Sequence, residues 1–309
     1  MLRPKAAPNH PRIAIVAPSG PIERPRFEKG LKKLTRLLGE ASVRVPSNLG
    51  AVECGMFAGP DHERLGELQA VLADPEIDVV IAARGGSGMT RLLDRLDPEV
   101  LRAAPKILVG FSDISGLLAW SLRQVSMTSI HGPVVTQMST LPDDAIVRLQ
   151  EMIAGEVPPV IEAEEGTVVQ GGSVEGPLFA ANLEVLRCLI GTKSMPDLRG
   201  YILALEEIGE RPYRLDRSLT HLMSSGALRG VRGIAIGQLI GCEEPEDRVL
   251  RPPRAEQVVA DRLADLRIPV VTGFGFGHDH RQNQALPVGT MARLDADNGA
   301  LAFYEPVCS

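Results

Sequence analysis

Val109-Gly110-Phe111-Ser112-Asp113 joins an apolar run to a helical pattern, which puts a serine on a sharp strand-to-helix turn. On such a turn the hydroxyl is thrust out above the sheet edge. The helix N-terminus beside it offers backbone N–H groups and positive dipole to a developing oxyanion. That is the chemistry of a nucleophilic serine. The Gly-x-Ser-x-Gly elbow asks for a second glycine, however, and Ile114 stands in its place. On this motif alone, Ser112 or Asp113 reads better as a plain helix N-cap.

A second turn shifts the balance. Arg84-Gly85-Gly86-Ser87-Gly88 follows another apolar run, as Ser112 follows its own. In an open α/β sheet the loops at the carboxyl ends of strands gather at one edge, where ligands bind. Paired glycines let a backbone N–H point into a site without side-chain obstruction. Gly85 or Gly86, together with the Asp113 backbone, would then form an oxyanion hole, each donor being worth ~10²–10³ in rate. The rival use of such a turn is to cradle phosphate. Against it, Arg91 occupies the place of the third glycine after Gly86-x-Gly88, and no Gly-x-x-x-x-Gly-Lys-[Ser/Thr] occurs.

A nucleophilic serine needs a base, and six histidines are available. His10, His62 and His221 fit ordinary surface or core roles. His131 ends an expected strand and can approach the sheet edge. His278 follows Gly273-Phe274-Gly275-Phe276-Gly277, a flexible approach for a residue that must reach another domain, and His280 is its direct rival. A carboxylate must hold the imidazole. Glu206 and Glu207 end the apolar run Leu203-Ala204-Leu205 and point to opposite faces, so at most one of them serves.

The elements that must position these groups alternate in type. Residues 12–17, 43–45, 78–83 and 106–110 read as strands. Between them, 27–38, 61–72 (with Asp61 as N-cap), 89–96 and 114–122 read as helices. Strand–helix alternation implies parallel pairing, hence an open, doubly wound α/β domain over residues 1–160. Residues 161–175 are polar and glycine-rich and read as a linker or an opening hairpin. A mixed α+β domain is expected over 176–309, with helices at 182–190 and 215–224 and strands at 201–205, 233–240, 270–271 and 291–294.

At 309 residues two domains are the expectation. A net charge of -6 argues against nucleic-acid binding, which needs a basic face. No run reaches the ~18 apolar residues of a membrane span. Prolines and polar residues fill Met1–Pro11 where a secretory signal would be apolar, so a cytoplasmic location is expected. Cys54, Cys188, Cys242 and Cys308 are too scattered for a zinc site or a disulfide framework.

As a set, these residues resemble the LD-carboxypeptidases, the muramoyltetrapeptide carboxypeptidases of bacterial wall recycling. The resemblance runs from Ile15-Val16-Ala17-Pro18-Ser19-Gly20 to Leu286-Pro287-Val288-Gly289. Between them lie Phe57-Ala58-Gly59, Ala83-Arg84-Gly85-Gly86-x-Gly88, Gly110-Phe111-Ser112-Asp113, His131-Gly132-Pro133, Leu205-Glu206-Glu207, Pro212-Tyr213-Arg214-Leu215-Asp216-Arg217 and Gly277-His278. The resemblance implies a Ser112–Glu206–His278 triad in a cleft between the domains. Oxyanion donors would be the Asp113 backbone and the Gly85-Gly86 turn, with neither metal nor cofactor. It also implies a homodimer that removes terminal D-alanine from a murein tetrapeptide. Arg84 is a candidate clamp for the terminal carboxylate, although a structural ion pair suits it as well. Three departures bear on the substrate. Ser87 replaces a tyrosine of the family's turn, Ala180-Ala181-Asn182 replaces Gly-Gly-Asn, and Glu207 replaces Asp. Some members of the same fold family instead cleave peptide–nucleotide antibiotics, which is the alternative substrate class.

Overall fold

The apolar runs of the first half assemble into a parallel sheet. In the computed structural model, which describes residues 1–39, 41–164, 166–244 and 253–309, the strands are Arg12–Val16 (β1), Ser42–Arg44 (β2), Val79–Ala82 (β3), Ile107–Gly110 (β4) and Ser129–His131 (β5). They pair in parallel in the order β2-β1-β3-β4-β5. The order reverses between β1 and β3, so the loops leaving their carboxyl ends open a crevice there.

Period-two alternation divides the strand residues between two covered faces. Ile13, Ile15, Val79, Ile81, Ile107 and Val109 pack with Phe27 and Leu34 of helix Arg24–Leu38 and Leu149 of helix Asp143–Ile153. Ala14, Val16, Val80, Ala82 and Leu108 face Leu65, Leu68 and Leu72 of helix Asp61–Ala73 and Leu117 of helix Ser115–Trp120. Full burial of each large aliphatic side chain contributes roughly 1.5–3 kcal/mol, which offsets the ordering of the crossovers.

The second sheet is built from Ile161–Glu162 (β6), Val168–Gln170 (β7), Ser173–Asn182 (β8), Ile202–Ile208 (β9), Gly233–Ile240 (β10) and Val270–Val271 (β11). Next in the chain, Leu286–Val288 (β12) returns to the first sheet, antiparallel to β5. Met291–Asp295 (β13) and Ala300–Phe303 (β14) complete the second, in the order β6-β14-β13-β8-β9-β10-β11-β7. Its centre, β8 to β11, is parallel and its flanks are antiparallel. Residues 161–175, read as a linker, carry β6, β7 and the first residues of β8; Glu165 lies outside the described residues.

Local readings differ in three places. Pro60, not Asp61, occupies the N-cap position of helix Asp61–Ala73 and makes no side-chain cap; the Asp61 carboxylate, one residue inside the helix, is engaged by Arg64 and Arg91. The helix expected over 89–96 is two 3₁₀ turns, Met89–Arg91 and Leu93–Arg95. The helix after Ser112 starts as a 3₁₀ turn and ends in a π turn, Ser121–Val125. Among the described residues, no helix is long and apolar enough to cross a membrane.

Candidate active site

Ser112 directly follows Phe111 at the end of β4 and has φ +62°, a left-handed backbone rarely adopted by a residue with a Cβ. A turn forced in this way has the geometry that a nucleophile elbow uses to hold Oγ clear of the sheet. The missing second glycine is explained by Gly110. A Cβ on Gly110 would lie 2.6 Å from Cγ2 of Ile114, so the strand-end glycine makes room for the larger side chain.

The glycine turn lies against this serine. A Cβ on Gly85 would sit 2.8 Å from both Cβ and Oγ of Ser112 and 3.5 Å from the Asp113 nitrogen. Gly86 has φ +109°, and Gly20 donates its N–H to the Gly85 carbonyl at 3.0 Å. The loops after β1, β3 and β4 therefore meet at one point, with glycine backbone where side chains would otherwise stand.

Two charged side chains lock these loops together: Asp113, whose side chain reads from sequence only as a helix N-cap, and Arg64, which no motif singles out. The buried Asp113 carboxylate accepts from Ser19 Oγ at 2.6 Å and from the Met89 N–H at 2.8 Å. Burial raises its pKa, and these two hydrogen bonds pull the other way. Arg64, fully buried, donates to the carbonyls of Gly59 (3.0 Å), Gly88 (3.2 Å) and Pro18, and pairs with Asp61. No local motif marks either role, since their partners come from three separate loops.

The second domain contributes the acid and the imidazole. Glu206 on β9 is fully buried, and its Oε2 is 2.5 Å from Nδ1 of His278. Glu207 points to the opposite face, as strand alternation requires. It accepts from Asn182 Nδ2, the Glu184 N–H and the Ile208 N–H, each at 2.8 Å, and so caps helix Leu183–Cys188. Burial first, and the neighbouring Glu206 charge, raise its carboxyl to about 7 against the pull of those donors.

The glycines before His278 serve close packing rather than reach. A Cβ on Gly275 would lie 2.4 Å from the Gln282 side chain, and one on Gly277 would lie 3.1 Å from Glu206 Oε2. Gln137, from helix Val135–Met138, donates to the Gly277 carbonyl at 3.0 Å and accepts from Asn283 Nδ2 at 2.7 Å. Asn283 Oδ1 in turn accepts the Gly277 N–H at 3.0 Å. Gln238 Oε1 accepts the Asp279 N–H at 2.8 Å. The loop is thus pinned from both domains.

Of the rival histidines, His280 is exposed beside Asp279, and His10, His62 and His221 are exposed as well. His131 is wholly buried, and burial lowers its ring to about 4. The His278 ring packs on Phe111 with centroids 4.7 Å apart, next to the serine. Among the described residues no hydrogen bond joins Ser112 to His278; such contacts commonly tighten only when substrate is bound. Arg84 donates to the Pro21 carbonyl at 2.6 Å, and Ser87 is exposed at the tip of its turn.

A left-handed serine at the carboxyl edge of a parallel sheet, and a buried carboxylate–imidazole pair packed on the neighbouring Phe111, are the groups that serine-hydrolase chemistry requires. The chain belongs to the LD-carboxypeptidase family, a family of serine peptidases. The family's N-terminal domain profile matches residues 13–132 and its C-terminal domain profile residues 175–294. A putative carboxypeptidase of Streptomyces coelicolor is 39% identical, covering 100% of this chain and 98% of the relative. A murein tetrapeptide carboxypeptidase of Pseudomonas aeruginosa is 34% identical over 93% of this chain and 94% of its own. In fold, the chain is similar to a microcin C7 self-immunity protein solved with aspartyl sulfamoyl adenosine, at 21% identity and TM-score 0.87 over the whole of both chains.

Proposed function

We propose that this protein is a serine carboxypeptidase that cuts the L,D-peptide bond releasing terminal D-alanine from murein tetrapeptides. The observation that carries the reading is the 2.5 Å Glu206–His278 contact, made by a ring that packs on Phe111 next to the left-handed Ser112. The 34% identical murein tetrapeptide carboxypeptidase supports the substrate class.

In this reading Ser112 Oγ attacks the carbonyl of the scissile bond while His278 Nε2 takes its proton. Glu206, on the other ring nitrogen, fixes the tautomer and stabilises the imidazolium. The tetrahedral oxyanion is held by the Asp113 N–H and the Gly85-Gly86 turn. His278 then returns the proton to the departing amine of D-alanine, and water, activated by the same ring, releases the acyl group. Arg84, steadied by Pro21, takes the terminal carboxylate of the substrate, and Ser87 forms part of the pocket wall. The enzyme works as a homodimer in the cytoplasm, where wall fragments are recycled.

Mass spectrometry of a disaccharide tetrapeptide incubated with wild type and with Ser112→Ala tests this. Loss of one D-alanine by the wild type alone is expected, with kcat reduced by roughly 10⁴–10⁶ in the variant. The exposed Ser87, at the position of the family's tyrosine, favours one second reading: a self-immunity peptidase acting on peptide–nucleotide conjugates. Hydrolysis of an aminoacyl sulfamoyl adenylate with the tetrapeptide left intact would favour it. Light scattering on the eluting protein gives the oligomeric state, with twice the chain mass expected.

A further inference from the structure

One buried titratable side chain beside the proposed triad has no task in the proposed reaction. His131 ends β5 with no exposed surface, and neither ring nitrogen has a hydrogen-bond partner among the described residues. Its ring meets Phe111 edge-on at 5.9 Å and Phe276 at 6.3 Å between centroids. Phe111 also packs on His278, so the two imidazoles share one aromatic neighbour. The same region holds a second buried polar atom without a partner: Oε1 of Glu206, the carboxylate oxygen not bonded to His278.

These groups are chemically complementary. A neutral imidazole carries one N–H donor, and a carboxylate oxygen only accepts. Buried polar atoms are nearly always paired, so two such atoms in one region call for each other. With its ring lowered to about 4 by burial, His131 stays neutral across the neutral range and keeps both donor and acceptor. The titratable groups that act on it are Glu206 from β9 and His278 from the loop after β11.

We infer that His131 is a positioning residue: its ring N–H, through one bridging water, holds the second oxygen of Glu206 so that the first stays aimed at His278. The inference rests on the Ser112–Glu206–His278 reading. Strand pairing fixes where the histidine stands, because His131 lies opposite Gly110 in β4 and Leu286 in β12. The alternative, a histidine that only fills space between two phenylalanines, predicts that an apolar ring of similar size serves equally well.

Kinetics of His131→Phe and His131→Gln on the tetrapeptide decide between them. Phenylalanine removes the N–H at similar volume, while glutamine keeps a donor. The Phe variant is expected to lose roughly 10–100-fold in kcat with KM within about twofold, and the Gln variant to recover most of the loss. Wild-type kcat in the Phe variant, or equal losses in both, overturns the inference. Imidazole ¹⁵N spectra of wild type and Glu206→Ala give a readout that needs neither turnover nor a change at position 131. The donor nitrogen of His131 should shift when the carboxylate is removed, and an unmoved signal also overturns the inference. Full activity in Ser112→Ala or Glu206→Ala brings down the triad itself, a result separable from a failure at His131 alone.

Discussion

In the proposed mechanism Gly85 is tied to Ser112 by close packing. Its φ is not in the left-handed region, so alanine there brings no backbone strain. What forbids it is the 2.8 Å approach of the added carbon to Ser112 Cβ and Oγ, well inside van der Waals contact. Because Ser112 is held at φ +62° by the elbow, its side chain can yield only by turning Oγ away or by widening the turn. In the proposed reaction, either movement takes Ser112 Oγ off its line of attack. Gly85→Ala is therefore expected to lower kcat by about 10² or more, since small misplacements at a reacting atom carry costs of that order. Steady-state rates and the speed of Ser112 labelling by a fluorophosphonate should fall together, while the thermal midpoint moves little. Unchanged labelling would mean that the turn relaxes without disturbing the serine.

At the scale of elements, the apolar runs made the parallel strands of the first sheet legible, whereas Ser173–Asn182, Leu286–Val288 and Ala300–Phe303 were not among the expected strands. Val79–Ala82 and Ile107–Gly110 are buried on both faces, and no other period suits them. The serine turn and the glycine turn were visible for the same reason, because each follows such a run. The residues alone left His278 level with His131 and His280, and Glu206 level with Glu207. Telling them apart depends on contacts between distant segments, such as Glu206 with His278, which no local pattern records. Gln137 and Asn283 were illegible on the same ground, although they pin the histidine loop to the first domain. Gln137→Ala removes the donor to the Gly277 and Asp279 carbonyls and leaves Asn283 Nδ2 without its acceptor. A loss of about 1–3 kcal/mol in stability is expected from the buried groups left unpaired. A fall in kcat larger than any rise in KM should accompany it, because the imidazole, not the substrate site, is what loosens. Denaturant titration and steady-state kinetics on one preparation check both effects.

Across the whole molecule the two sheets are not independent bodies. Ala180, Leu203 and Ala235 of the second sheet share one apolar core with Val16, Val80 and Leu108 of the first, and β12 carries the chain back to pair with β5. Glu207 sits at this junction. It holds Asn182 and the start of helix Leu183–Cys188, and the Asn182 N–H donates to Ser115 Oγ, three residues beyond Ser112. Its carboxyl, near 4.5 in an unfolded chain, is raised to about 7 in the fold, chiefly by burial. Between those two values the folded protein binds the proton that the unfolded chain has released. Stability contributed by this group therefore falls as pH rises through that window, by roughly 3 kcal/mol in total. The lowered His131 acts in the opposite sense below its ordinary value of 6.5, so the whole-protein curve mixes the two. Subtracting a variant isolates the carboxyl. Glu207→Gln cannot ionise, so the stability of wild type relative to this variant should decline between about pH 4.5 and pH 7 and level off above that in denaturant titrations. Parallel curves over that range would mean that the donors from Asn182, Glu184 and Ile208 outweigh burial and keep the group ionised throughout.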